Sequence, residues 1–153
     1  MEIILAENHG FCYGVKRAVE MANEAADGKG KSYTLGPIIH NPQVVGRLES
    51  KGVSPIQEVA DIDEGTMIIR SHGVGPAIYA EAEEKGLHIL DATCPHVKKA
   101  QQDAKSVIED GMTLVILGEK NHPEVKSINL WANNKGIIIE DEESAEKLQI
   151  VEK

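Results

Sequence analysis
The sequence predicts an α/β protein of two small parallel-sheet lobes built from βα units, and three observations carry that expectation. Short runs rich in Ile, Leu and Val alternate with amphipathic stretches along the 153 residues, the signature of repeated strand–helix units. The runs are apolar throughout, which suits strands covered on both faces of a parallel sheet. Four prolines, Pro42, Pro76, Pro95 and Pro123, stand where helices should open. Proline at the first helical position gives up only an amide that has no intrahelical partner.

In chain order, EIILA is the first expected strand. A helix follows in which Val15, Ala18, Val19 and Ala22 recur at helical spacing, with Lys16, Arg17 and Glu20 on the other face. YTLGPII is the next expected strand, running to His40 and a helix from Pro42, and VSPIQ supplies another. TMIIR leads through His72 to a helix from Pro76, and LHILDA leads through Cys94 to a helix from Pro95. That last helix shows its apolar face from Val97 to Ile108 and should stop at Gly111. TLVIL, a helix from Pro123, and GIIIE complete the series, and the acidic EDEESAEK reads as a solvated turn and helix start. No long linker or low-complexity segment interrupts the chain. The division is expected near Asp91 to Lys98, with a first lobe over residues 1–93 and a second, incomplete lobe over residues 94–153.

A formal net charge of -9, with no local cluster of Lys or Arg, argues against a nucleic-acid partner. TLVIL and GIIIE are far too short to span a bilayer, and the acidic start MEIILAENHG is no secretory signal. A soluble, cytoplasmic protein with no membrane partner is expected. Two cysteines half the chain apart could form a disulfide; in a cytosolic setting, reactive or metal-bound thiols are the better match.

The chemistry-bearing residues recur at one kind of structural punctuation. GFCYGV around Cys12, IIHNP around His40, RSHGVGP around His72, DATCP around Cys94 and NHPEV around His122 each sit between an apolar run and a helix-like stretch. Helix N-termini favour thiolates, phosphates and other anions. In parallel sheets the loops after the strands emerge on one edge, so the five residues are expected to converge. Each has a plainer reading. Either cysteine alone fits an inert buried thiol; together they suggest ligands for zinc, copper or an iron–sulfur cluster, although without a CxxC pair they match no standard zinc module. His40 and His72, beside Asn41 and Ser71, either cap their own helices or hold a phosphate as doubly donating imidazolium. His122 and Glu124, on either side of Pro123, suit a proton-shuttling pair, while Glu124 in a first turn also simply complements the helix dipole. His9, His88 and His96 read as surface or capping residues. Gly73 and Gly75 hint at a phosphate loop, yet no GxxxxGK[ST] or full GxGxxG occurs.

Taken together, GFCYGVKRA, IIHNPQVV, SHGV, DATCPHV and NHPEV resemble, in order and spacing, the LytB/IspH family, the hydroxymethylbutenyl diphosphate reductases of the methylerythritol phosphate route to isoprenoids. The resemblance implies a trefoil of three related α/β lobes around a [4Fe–4S] cluster held by three cysteines, two of them matching Cys12 and Cys94. It implies that His40 and His72 hold the substrate diphosphate, that His122 lies near the substrate hydroxyl, and that Glu124 relays protons. The implied reaction removes the allylic hydroxyl with two electrons and two protons, drawn from a donor such as ferredoxin or flavodoxin. The match ends at KLQIVEK, before the segment that would bring the family's threonine, third lobe, third cysteine and Ser/Asn diphosphate ligands. The expectation is therefore a reductase truncated before its third domain. The alternatives are a non-catalytic subunit needing a complementary chain, a homodimer pooling its cysteines, or a zinc- or diphosphate-binding module.

Overall fold
The computed structural model describes residues 1–7, 9–28 and 30–148; residues 149–153, the end of the expected second lobe, lie outside them. Helix α1 (Tyr13–Ala26) is followed by β1 (Ser32–Leu35), α2 (Pro42–Ser50), β2 (Val53–Ile56), a 3-10 turn (Val59–Asp61) and β3 (Thr66–Ile69). Next come α3 (Pro76–Glu84), β4 (His88–Asp91), α4 (Pro95–Glu109), β5 (Val115–Leu117), α5 (Pro123–Trp131), β6 (Ile137–Ile139) and α6 (Glu142–Glu146). All four prolines open helices as expected, and α4 stops before Gly111, which takes φ +74°.

Strands β1 to β4 form one parallel sheet in the order β2-β1-β3-β4, and β5 and β6 form a separate parallel pair. Both faces of the larger sheet are covered, although its strands are less uniformly apolar than expected: Ser32 and Thr34 of β1 are buried polar residues. In β3, Met67 and Ile69 point into a core with Val59, Ile62, Ala82 and Leu87, whereas Ile68 points into a core with Ala18, Ala22, Leu48 and Val53. Met67, Ile68 and Ile69 are fully buried, and each contributes about 1.5–3 kcal/mol relative to an exposed position. The smaller sheet is less enclosed, with Leu117 74% exposed.

The order β2-β1-β3-β4 also positions the site. The chain leaves β1 towards β2 on one side and later returns to place β3 on the other, so the loops after β1 and β3 diverge and open a crevice between them. His40 and His72 lie in those two loops.

Two expected strands differ from the structure. EIILA forms no strand: Ile3, Ile4 and Leu5 are 76%, 82% and 75% exposed. An apolar run becomes a strand only when a neighbouring edge accepts its backbone groups, and neither described sheet does so. YTLGPII is cut short at Gly36, whose φ of +73° turns the chain out of β1 while its amide donates to Ile56 O at 2.7 Å. Ile38 and Ile39 are consequently buried in a loop rather than in the sheet. The acidic EDEESAEK contains the short helix α6, capped by Asp141 through Ser144 N at 2.7 Å. No helix among the described residues is long and apolar enough to cross a membrane.

Candidate functional site
Main-chain hydrogen bonds stitch three loops together at the crevice. Ser71 N donates to Ile38 O at 3.4 Å, and Cys94 N donates to Ser71 O at 2.9 Å. The loops after β1, β3 and β4 are thus tied in series, carrying His40, His72 and Cys94 with them. The Asn41 side chain caps α2, accepting from Gln43 N and Val44 N at 3.1 Å each, which fixes the turn beside His40 and leaves the imidazole free.

His122 joins from the other sheet as the N-cap of α5. Its Nδ1 accepts from Glu124 N at 3.3 Å, so its Nε2 remains available. Buried Ser127 anchors α5 beneath the crevice: its hydroxyl lies 2.7 Å from His72 O and 2.8 Å from Glu124 O and accepts from Gln101 Nε2 at 3.2 Å. Trp131 Nε1 adds a bond to Val74 O at 2.9 Å. The ring centroids of His40, His72 and His122 stand 4.6, 5.9 and 5.6 Å apart. One nitrogen from each lies within 4.8 Å of the others, close enough for one phosphate group or one metal ion to touch all three.

The cluster is neutral at its centre. Burial, followed by the nearby His40, Arg70 and His122, pushes the pKa of His72 down to about 4. Its Nδ1 is buried and has no hydrogen-bond partner among the described residues. Beside it opens a cleft of about 240 Å³ lined by Phe11, Val15, Ile39, His40, Asn41, Ser71 and His72.

Cys12 and Cys94 are the N-caps of α1 and α4, and neither thiol is engaged with its helix amides. Both are free. A Cβ added at Gly14 would lie 2.5 Å from Cys94 Sγ, so the Cys94 thiol rests on the first turn of the helix that Cys12 opens. The five residues expected to converge are therefore held by adjoining loops and helix starts. The expectation that each follows a strand fails for Cys12, because the run before it is unpaired.

Sequence reasoning missed the supports. Asp91 accepts from Thr93 N at 3.0 Å and from Tyr79 Oη at 3.1 Å and pairs with Lys98. Burial would raise its pKa, but the hydrogen bonds from Lys98 and Thr93 outweigh that and hold it below the usual carboxylate range. Arg17 reaches Thr93 O at 3.2 Å and Asp91 O at 3.3 Å, completing a brace around the turn that presents Cys94. The available signal was Asp91 in DATCP, three residues before the cysteine. His9 and His96 are exposed, and His88 lies at the exposed start of β4.

A family model described as LytB protein matches residues 3–153. The chain is 50% identical over 153 residues to the 4-hydroxy-3-methylbut-2-enyl diphosphate reductase of Geobacter metallireducens, covering 100% of this chain and 54% of that protein. It is 51% identical over 148 residues to the reductase of the same name from Geotalea uraniireducens, covering 97% and 52%. Among solved structures, it is similar to the E-1-hydroxy-2-methyl-but-2-enyl-4-diphosphate reductase from Plasmodium falciparum, with TM-score 0.90, 32% identity and coverage of 95% of this chain and 46% of that one. It is also similar to an (E)-4-hydroxy-3-methyl-but-2-enyl diphosphate reductase, the terminal enzyme of the non-mevalonate pathway, with TM-score 0.81, 47% identity and coverage of 95% and 53%. The chain spans about half the length of the curated relatives it matches.

Proposed function
The chain belongs to the LytB family, and on that premise we propose that it supplies two walls of the active site of a 4-hydroxy-3-methylbut-2-enyl diphosphate reductase of isoprenoid biosynthesis. The observation that carries this reading is the three-histidine cluster at the sheet's crevice beside two uncapped thiols. We read the two sheets as two lobes dividing at residues 93 and 94, and the free thiols as suited to the reducing cytoplasm.

In the proposed reaction the allylic C–O bond breaks, two electrons and two protons are consumed, and the hydroxyl leaves as water while a C–H bond forms in the isopentenyl or dimethylallyl product. Cys12 and Cys94 would be two of the protein ligands of a [4Fe–4S] cluster. Their freedom from capping bonds and their seat at positive helix ends fit thiolate ligands, and the absence of a side chain at Gly14 leaves room for the Cys94 sulfur. When bound, the cluster supplies electrons, delivered by a small donor such as ferredoxin or flavodoxin, and Lewis acidity towards the hydroxyl. His40 and His72 bind the diphosphate, whose negative charge draws a proton onto the His72 ring. His122 orients the hydroxyl end, and Glu124 relays a proton to the departing oxygen. The half-buried position of Glu124, one turn from Ser127, holds it on a fixed helix start.

Anaerobic reconstitution with iron and sulfide tests the reading. The chain should take up iron and show broad visible absorption, weakened in Cys12→Ser and in Cys94→Ser. Protein that stays colourless and iron-free would remove the cofactor assignment. A second reading, a divalent-metal module, is favoured by the spacing of the three histidine nitrogens; stoichiometric zinc in native protein, lost in His72→Ala, would select it.

A further inference from the structure
A second cleft, of about 330 Å³, shares no lining residue with the histidine cleft. Its charged lining residues are Arg70 and Lys126, with no carboxylate among them, and the amides of Gln57 and Asn121 stand nearby. The chain has three arginines. Arg17 donates to main-chain carbonyls and Arg47 is exposed. Arg70 differs from both: it is half-buried, its Nε is buried without a partner, and it forms no ion pair among the described residues.

Such a guanidinium is costly to leave unmatched, and burial lowers its pKa accordingly. The backbone makes room for it: a Cβ on Gly36 would lie 2.9 Å from Arg70 Nη1. The rest of the cleft is apolar, with Val74, Ile78 and Leu130 among its walls.

We propose that this cleft binds a small phosphorylated molecule bearing an apolar group, the phosphate between Arg70 and Lys126 and the apolar part against Val74, Ile78 and Leu130. Two cations match the charge of about −1.5 to −2 on a phosphate group near neutral pH, and a planar guanidinium presents paired N–H donors to its oxygens. The assignment does not rest on the reductase reading, because it uses none of the histidines or cysteines.

The test is calorimetry on the full chain carrying His40→Ala and His72→Ala, with isopentenyl diphosphate and inorganic pyrophosphate as probes. That background silences the histidine cleft, so failure of one site is distinguishable from failure of the other. One residual site is expected, binding isopentenyl diphosphate more tightly than pyrophosphate. Adding Lys126→Met should weaken it by about tenfold, as loss of a charge-assisted contact does. Lys126 is exposed, so this variant tests the site without disturbing the core, and Arg70→Gln, checked for fold by circular dichroism, should weaken it further. No saturable residual binding, or residual binding unchanged by Lys126→Met, would overturn the proposal; equal affinity for the two probes would overturn the role of the apolar walls.

Discussion

Replacing Gly14 with alanine sets two opposing effects against each other at the cysteine pair. Gly14 lies in the first turn of α1, where alanine gains up to about 1 kcal/mol of intrinsic helix propensity. Against that, the new Cβ would stand 2.5 Å from Cys94 Sγ and 3.1 Å from Cys94 Cβ. Non-bonded heavy atoms settle at about 3.5–4.0 Å, so the sulfur must swing away and the start of α4 must shift. Overpacking of this kind costs about 1–3 kcal/mol. The net expectation is a loss of about 1 kcal/mol, seen as a melting temperature lower by about 2–4 °C for a chain of this size. Thermal unfolding of Gly14→Ala, Cys94→Ala and the double variant closes a cycle. Without the sulfur, the Gly14→Ala substitution should cost about 1 kcal/mol less, which is the coupling expected of touching residues. A Gly14→Ala protein at least as stable as the parent, or the same change in both backgrounds, would refute the contact between α1 and the Cys94 thiol.

The histidine cluster makes its own prediction for acid. His72 has a folded pKa near 4, below its unfolded value of 6.5, so the unfolded chain binds more protons between those limits and stability should fall as pH drops from 6.5 towards 4. Proton NMR should place the His72 midpoint near 4; a midpoint near 6.5 would contradict its buried setting. Ser127→Ala should cost about 1–3 kcal/mol in urea unfolding, because Gln101 Nε2 loses its acceptor inside the core. A loss below about 0.5 kcal/mol would mean that this hydroxyl does not brace α5 against the His72 loop.

Much of the fold was legible because it rests on local rules. Pro42, Pro76, Pro95 and Pro123 marked helix starts through their missing amides, and the apolar run of β3 announced a sheet buried on both faces. The convergence of His40 with His72 followed from the general rule for loops at the strand ends. What escaped depends on distant partners. Whether EIILA pairs is decided by an available sheet edge and not by its own residues. The truncation of YTLGPII depends on the positive φ of Gly36, which brings the chain beneath Arg70. The brace from Arg17 and Asp91 around Cys94 joins residues 74 and 76 positions apart, and no periodicity records such a meeting.

The serial stitching of Ile38, Ser71 and Cys94 acts as a gauge. Because the links from Ser71 N to Ile38 O and from Cys94 N to Ser71 O are made by main-chain atoms, exchanging an individual side chain leaves both in place. The spacing of the loops that carry His40, His72 and Cys94 is therefore written into the backbone, and on the proposed reading a molecule reaching from the histidines to the thiol would be measured for length by main-chain atoms. Loosening that measure would require an insertion or a proline in one of the three loops, so adaptation to longer or shorter bridging molecules should come through changes in loop length.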